Sequence, residues 1–320
     1  MWGYCKYACV RFRLLWAGAL FFCLLVVLGT RAAAQPIQVI DDTGRSVVLV
    51  TPAQRIVSLA PHVTENLFAA GVGDRVVAAV DYSDTPPEAA RLPRVGGYAR
   101  LDLERILAFQ PDLIVAWASG NPAEVVARIE ALGVPVYRSQ PNRLDDIAKT
   151  LRNLAYLAGN PAAGERAAEA FLARRDALAA RYAGRAPVRV FYQIWDRPLR
   201  TIGGQQILTD VMRLCGGVNV FGALDALAPT VSVEAVLAAD PEVIVASGMG
   251  EERPDWLDAW RAWPQLTAVR ADNLVFIPPA LLQRPTPRLL DGAEQLCTAL
   301  EAARSHLAAL RHVPASAGTK

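Results

Sequence analysis

A fourteen-residue stretch is written twice in this chain, 130 positions apart: residues 103–116 read LERILAFQPDLIVA and residues 233–246 read VEAVLAADPEVIVA, with seven positions identical. The spacing is far longer than a solenoid period and the unit occurs only twice. It therefore predicts two similar lobes rather than an array, and two facing lobes imply a cleft between them.

The first thirty-four residues differ from the rest. Lys6, Arg11 and Arg13 precede an uncharged, mostly apolar run from Leu14 to Gly29, and Ala32, Ala33 and Ala34 then offer small residues for cleavage. That pattern is a secretory signal peptide cleaved after Ala34. A retained anchor is the alternative, but sixteen residues fall short of the roughly 20 that span a bilayer. Lipidation at Cys23 is discounted, because Leu20, Phe21 and Phe22 before it are not the small residues such processing requires. Loss of the leader would remove Cys5, Cys9 and Cys23, leaving Cys215 and Cys297. An even pair in an oxidising compartment is most simply a disulfide, with two separate buried thiols as the other reading. The leader also carries Lys6, Arg11, Arg13 and Arg31, so 29 basic residues would face 31 acidic ones in the mature chain. No basic patch points to nucleic acid.

Along the rest of the chain, residues 37–40 and 47–50 flank the turn-forming residues 41–45 as a hairpin. Apolar strands at 56–60, 76–80, 113–117 and 134–137 then alternate with helices at 63–70, 103–109 and 123–132. A second series runs through a strand at 188–194, a helix at 207–214, the repeated helix and strand, a strand at 274–277 and a helix at 288–309. Such alternation predicts helices packed on mostly parallel sheets. Helices at 144–157 and 165–182 join the series, the latter a strut of roughly 27 Å at about 1.5 Å per residue. The expected organisation is a signal peptide (1–34), an N-terminal α/β lobe (35–142), connecting helices (143–187), a C-terminal α/β lobe (188–312) and a flexible tail (313–320).

In both copies of the repeat a glutamate follows a good N-cap by two positions, Asp102 before Glu104 and Ser232 before Glu234. An acid in a first turn gains from the helix dipole, which is one explanation. The matched placement in two lobes has another: paired, pseudo-symmetric carboxylates could dock a two-fold symmetric partner carrying arginines.

With the duplication come Arg55–Glu65 (RIVSLAPHVTE), Tyr82–Pro87 (YSDTPP), Pro111–Trp117 (PDLIVAW), Leu214–Phe221 (LCGGVNVF) and Gln295–Cys297 (QLC). Together these closely resemble the periplasmic cobalamin-binding proteins of ATP-binding-cassette (ABC) importers, within the wider iron-complex, haem and cobalamin binding family, across nearly all of the mature chain. The resemblance implies a class III periplasmic binding protein fold of two Rossmann-like lobes joined by a long helix. It also implies a disulfide between Cys215 and Cys297, and contacts of Glu104 and Glu234 with arginines of a permease dimer. Tyr82, Trp117 and the loop from Gln283 through Arg284 to Arg288 would fall in or beside the corrin cleft. Ala228, Leu281, Leu282 and Ile194 depart from the family pattern, where aromatic side chains stand.

Ligands of parallel α/β units bind beyond the carboxyl ends of strands. Pro61, His62, Tyr82, Trp117 and Trp195 occupy those positions, and Tyr98 lies in the loop before the repeated helix. Rings at such places suit a flat, partly apolar macrocycle, and ordinary loop packing is the competing account of each. His62 is either an axial ligand to a cargo metal or a hydrogen-bonding loop residue; His306 and His312 are expected in solvent.

The expected function is capture of cobalamin, or a related corrinoid, and its delivery to an ABC permease by a monomeric, non-catalytic protein without a resident metal. Haem, bound through Tyr82 or Tyr98, or a ferric siderophore is the alternative within the same class. For an anionic siderophore Arg197, Arg200 and Arg284 are the obvious supply of charge. A chelatase-like exported enzyme is the more distant alternative, against which the chain carries no GxSxG, HExxH, GxxxxGK[ST] or GxGxxG motif.

Overall fold

The computed structural model describes residues 36–248, 250 and 252–312. The expected leader and the tail 313–320 lie outside these residues. Among the described residues no helix is long and apolar enough to cross a membrane.

Two strands, β1 (Ile37–Ile40) and β2 (Ser46–Leu49), form the antiparallel hairpin expected from their alternation. Val39, Val47 and Leu49 point inward while Gln38, Ser46 and Val48 remain exposed. The Asp41 carboxylate organises the turn by accepting from the backbone N–H groups of Thr43 (2.8 Å) and Arg45 (2.9 Å). The first lobe then runs through β3 (Ile56–Ser58), α1 (Pro61–Ala69), β4 (Val76–Ala79), α2 (Leu103–Ala108), β5 (Leu113–Trp117), α3 (Ala123–Ala131) and β6 (Val136–Ser139). Its strands are parallel in the order β4-β3-β5-β6. The sequence pattern places β6 two residues earlier, but Pro135 lacks an N–H for the ladder and the strand begins after it.

The chain next forms α4 (Leu144–Leu157) and α5 (Pro161–Tyr182). Helix α5 starts four residues before the expected strut because Pro161 takes the first helical position, where its missing N–H costs nothing. Its 22 residues span about 33 Å at ~1.5 Å per residue. Gly164, Ala168, Phe171, Leu178 and Tyr182 are its buried positions, a single stripe at helical spacing.

The second lobe comprises β7 (Val188–Gln193), α6 (Ile207–Leu214), β8 (Gly217–Asn219), α7 (Val233–Ala239), β9 (Val243–Ala246), β10 (Leu274–Phe276) and α8 (Leu289–His312). The parallel order β8-β7-β9-β10 repeats that of the first sheet. A disulfide between Cys215 and Cys297 (Cα–Cα 4.7 Å) ties the end of α6 to α8.

The duplication extends below the level of topology. Asp112 and Glu242 sit 130 positions apart, and each binds the start of its lobe's first strand. The Asp112 N–H donates to the Arg55 carbonyl (3.0 Å) while its carboxylate accepts from the Arg55 N–H (2.9 Å). Glu242 makes the same two bonds with Arg189, both at 2.8 Å. The guanidinium groups of Arg55 and Arg189 reach the carbonyls of Phe109 and Ala239, again matched residues. Gln110 (φ 49°) and Asp240 (φ 36°) both turn left-handed after their helices, just before a proline that cannot continue them.

One hydrophobic core runs through both lobes. Val63 and Leu67 of α1, Leu151 and Leu154 of α4, Phe171 of α5, Val211 of α6 and Leu296 of α8 belong to it. The opposite face of each sheet has its own cluster, around Val57, Ile106 and Ile114 in the first lobe and Phe191, Ile244 and Trp260 in the second. The lobes are thus packed onto a shared helical layer as well as joined by α5.

Candidate functional site: the interlobe cleft

The strand ends of the two sheets meet a cavity of about 390 Å³. Its first-lobe wall includes His62, Trp117, Ser119 and Gln140; its second-lobe wall includes Ile194, Arg200, Ile202, Gln206, Leu227 and Ala228. Ile194, Arg200 and Gln283 also line an adjoining cavity of about 370 Å³ with Trp195 and Pro198. Ala228 and Ile194, small where the family resemblance leads one to expect rings, are therefore wall residues.

Trp117 ends β5. His62 meets it edge-on at 5.3 Å between ring centroids, and Tyr98 lies tilted against it at 5.5 Å. This trio depends on Asn121, which sequence reasoning missed. Its side chain accepts from the Trp117 N–H (2.6 Å) and donates to the carbonyls of Leu59 (2.9 Å) and Tyr98 (2.8 Å). Three separate loops are thereby held by one buried amide. The available signal was the turn tripeptide Gly120-Asn121-Pro122, and a Cβ at Gly120 would run into the Trp117 ring.

His62 is not a loop residue, because α1 begins at Pro61 and takes in both. Pro61 is half-buried. His62 is only 5 % exposed and its Nε2 has no hydrogen-bond partner. Burial, with the nearby Arg284 guanidinium, pushes its pKa down to about 3, so the ring is neutral at pH 7.

The remaining candidates divide. Trp195 is partly exposed, lines the adjoining cavity and donates its indole N–H to the Arg197 carbonyl (2.9 Å). Tyr82 is 73 % exposed with φ of 63°, a left-handed conformation uncommon for an aromatic residue, and does not line the main cavity. Gln283 lines both cavities and its amide donates to the carbonyls of Ser247 and Gly248. Leu281 is half-buried. Leu282 requires correction as a binding residue: it is fully buried in the shared core, because the short helical turn Pro279–Leu282 aims it inward.

Arg284 joins the lobes. Its guanidinium pairs with Glu65 at 2.6 Å and Asp84 at 3.5 Å and reaches the Tyr82 carbonyl at 3.4 Å. Glu65, 4 % exposed, also accepts from the Thr286 hydroxyl (3.2 Å) and faces Arg288 at 3.6 Å, while Asn66 donates to the Pro285 carbonyl (3.0 Å). Nothing in the sequence marks Glu65 for this, since its partner lies 219 positions away. Arg197 pairs with Asp196, so Arg200 is the cavity-lining guanidinium without a salt bridge among the described residues.

Glu104 and Glu234 are exposed in the first turns of α2 and α7, and neither lines the cavity. Asp102 and Ser232 cap these helices through Arg105 N–H (3.0 Å) and Ala235 N–H (3.2 Å). Hydrogen bonds from its own backbone N–H and from Ser232 hold the Glu234 carboxyl below the usual carboxylate range. His306 and His312 are exposed, as expected, and His306 also shares a 2.8 Å hydrogen bond with Asn273. Among the described residues no three His, Cys, Asp or Glu side chains gather as a metal site.

A family model described as "Periplasmic binding protein" matches residues 56–281. A vitamin B12-binding protein of Vibrio cholerae serotype O1 is 42 % identical over 254 residues, covering 79 % of this chain and 91 % of that protein. The crystal structure of the periplasmic vitamin B12 binding protein BtuF of Vibrio cholerae is similar with a TM-score of 0.72 at 42 % identity, over 79 % of this chain and 98 % of that one. The periplasmic heme-binding protein RhuT from Roseiflexus sp. RS-1 is similar with a TM-score of 0.68 at 29 % identity, over 78 % and 99 % of the two chains. Two parallel α/β lobes on a shared helical layer, a cleft at their strand ends and a family match through both lobes place this chain in the periplasmic binding protein family.

Proposed function

We propose that the protein is exported to the periplasm, captures cobalamin in the interlobe cleft and delivers it to an ABC-type permease through Glu104 and Glu234. The observation that carries the ligand is the 42 % identity to vitamin B12-binding proteins over 91 % of their length. The chemistry of the walls supports it. Trp117, backed by Tyr98, and Trp195 supply aromatic surface suited to a flat macrocycle, and Gln140, Gln206 and Gln283 supply amides to its polar rim. An anionic catecholate complex would call for converging positive charge, whereas Arg197 and Arg284 are already neutralised by carboxylates.

Calorimetric titration of the mature chain with cyanocobalamin, haemin and a set of ferric siderophores tests this reading. Saturable one-to-one binding of cyanocobalamin is expected, with haemin and siderophores much weaker. Tight haemin binding with the visible spectrum of a ligated haem, and none for cyanocobalamin, would reassign the cargo.

A further inference from the structure

Among the described residues, Arg200 is the sole charged side chain lining either cavity of the cleft. The His62 ring in the main cavity is neutral, no carboxylate lines either space, and the remaining walls are apolar, amide or hydroxyl. Arg197 and Arg284 are paired with Asp196 and Glu65. The Arg200 side chain is exposed to the cavities and has neither a salt bridge nor a hydrogen bond to another described residue. Its backbone, by contrast, is held on both edges. Trp195 and Asp196 pair with Arg200 and Leu199 in a tight antiparallel hairpin. On the other edge the Val231 N–H donates to the Leu199 carbonyl and the Thr201 N–H to the Pro229 carbonyl, both at 3.0 Å. Successive side chains of a strand point to opposite faces. Leu199 therefore packs against the cluster around Phe191 and Trp260 while Arg200 faces the cleft. A fixed base and an unpartnered head leave one positive charge for a ligand to neutralise.

We propose that Arg200 receives the phosphodiester of the cargo's nucleotide loop, a step that rests on the cobalamin reading above. A guanidinium presents parallel N–H donors in a planar fork that matches two oxygens of a phosphate. A complete cobalamin carries one phosphodiester, singly charged throughout the neutral range, and neutral amides around the corrin ring. One free arginine among the amides of Gln140, Gln206 and Gln283 matches that balance of charge. A cargo with several carboxylates or catecholates leaves negative charge uncompensated in this cleft. Arg200 thus distinguishes complete cobalamins from corrinoids that lack the nucleotide.

The test is calorimetric titration of the purified mature protein with cyanocobalamin and with dicyanocobinamide, a corrinoid without phosphate, ribose or base. The wild type should bind cyanocobalamin about tenfold or more tightly than dicyanocobinamide. Arg200→Met keeps the apolar stem and removes the charge; it should raise the Kd for cyanocobalamin about tenfold and that for dicyanocobinamide less than about threefold. Arg200→Lys, which keeps the charge without the fork, should fall between wild type and Arg200→Met. Raising salt to about 1 M, where the Debye length is about 3 Å, should weaken cyanocobalamin binding more in the wild type than in Arg200→Met. An unchanged cyanocobalamin Kd in Arg200→Met overturns the proposal, and so does an equal loss for both corrinoids, which would make Arg200 part of the wall's shape alone. Equal affinity of the wild type for the two corrinoids also overturns it, and that measurement stands even where a variant fails to fold. Binding of neither corrinoid by the wild type overturns the cobalamin reading itself, and this inference with it.

Discussion

Trp117 stands at the end of β5 with His62 edge-on, Tyr98 tilted over it and its own N–H held by Asn121. A ring so restrained loses little freedom when a ligand stacks on it, so Trp117→Ala should weaken cobalamin binding by about 1–3 kcal/mol without unfolding the chain. Tyr82→Ala, which removes a ring outside the main cavity, is expected to weaken binding less and to leave stability unchanged, since that ring is already mostly in solvent. Calorimetry on both variants decides, and unchanged affinity in both would move the site elsewhere. His62 makes a second residue-scale prediction. Its pKa is about 3 in the fold against 6.5 ordinarily, so the unfolded chain takes up the proton first. The stability present above about pH 6.5 is therefore lost progressively as pH falls towards 3. Urea midpoints between pH 7.5 and 4.5 should fall more steeply for the wild type than for His62→Gln; parallel curves would contradict a buried neutral ring. Trp117 was legible as a residue of the cavity wall because a strand end followed by turn residues is a local pattern. Asn121 was not, because its three bonds reach loops distant in sequence.

At the scale of elements, the sequence pattern identifies α4 and α6 to the residue, since their apolar positions recur at helical period between clear boundaries. It errs at prolines. Pro161 falls outside the expected strut and is its start, and Pro135 reads as strand and only precedes one. The elements that matter most to the second lobe are α6 and α8, and the Cys215–Cys297 bond couples them across 82 residues. Reducing it, or replacing both cysteines by alanine, should cost about 2–4 kcal/mol. Denaturant titration of oxidised and reduced protein measures that cost. Alkylation of the unreduced, denatured chain should find no free thiol at these positions.

Taken as a whole molecule, the lobes are held by the shared core, by α5 and by the Glu65–Arg284 pair. Removing one partner of a buried pair costs roughly 3–5 kcal/mol. Because Arg284 keeps 22 % of its side chain exposed, Glu65→Ala should cost about 2 kcal/mol. Glu65→Gln, which retains an acceptor for Thr286, should cost less. Small-angle scattering of the ligand-free Glu65→Ala protein should show a wider spread of lobe separations, and an unchanged profile would leave the shared core as the determinant of lobe geometry. Docking also belongs to this scale. Replacing both Glu104 and Glu234 by alanine should abolish permease complex formation and transport while leaving ligand affinity intact, because neither lines the cavity. Reversal to lysine sharpens the contrast, since like charges repel across an interface. Normal uptake by the double-lysine variant at wild-type abundance would leave these acids as helix-dipole partners alone.

The sequence by itself determined that there are two lobes of the same design, which elements compose them, where they are capped and which acids are duplicated. Those properties follow from hydrophobic period, turn chemistry and repetition, all of which act over a few residues or recur visibly along the chain. Only the tertiary structure decided that Leu282 faces the core, that Arg284 is held by Glu65, and that His62 is buried and neutral with one nitrogen unpaired. Each depends on segments far apart in the chain, 219 residues for Arg284 and Glu65, being brought together by the packing of both lobes on one helical layer. Burial and charge pairing are properties of that assembled space, and no local pattern encodes them.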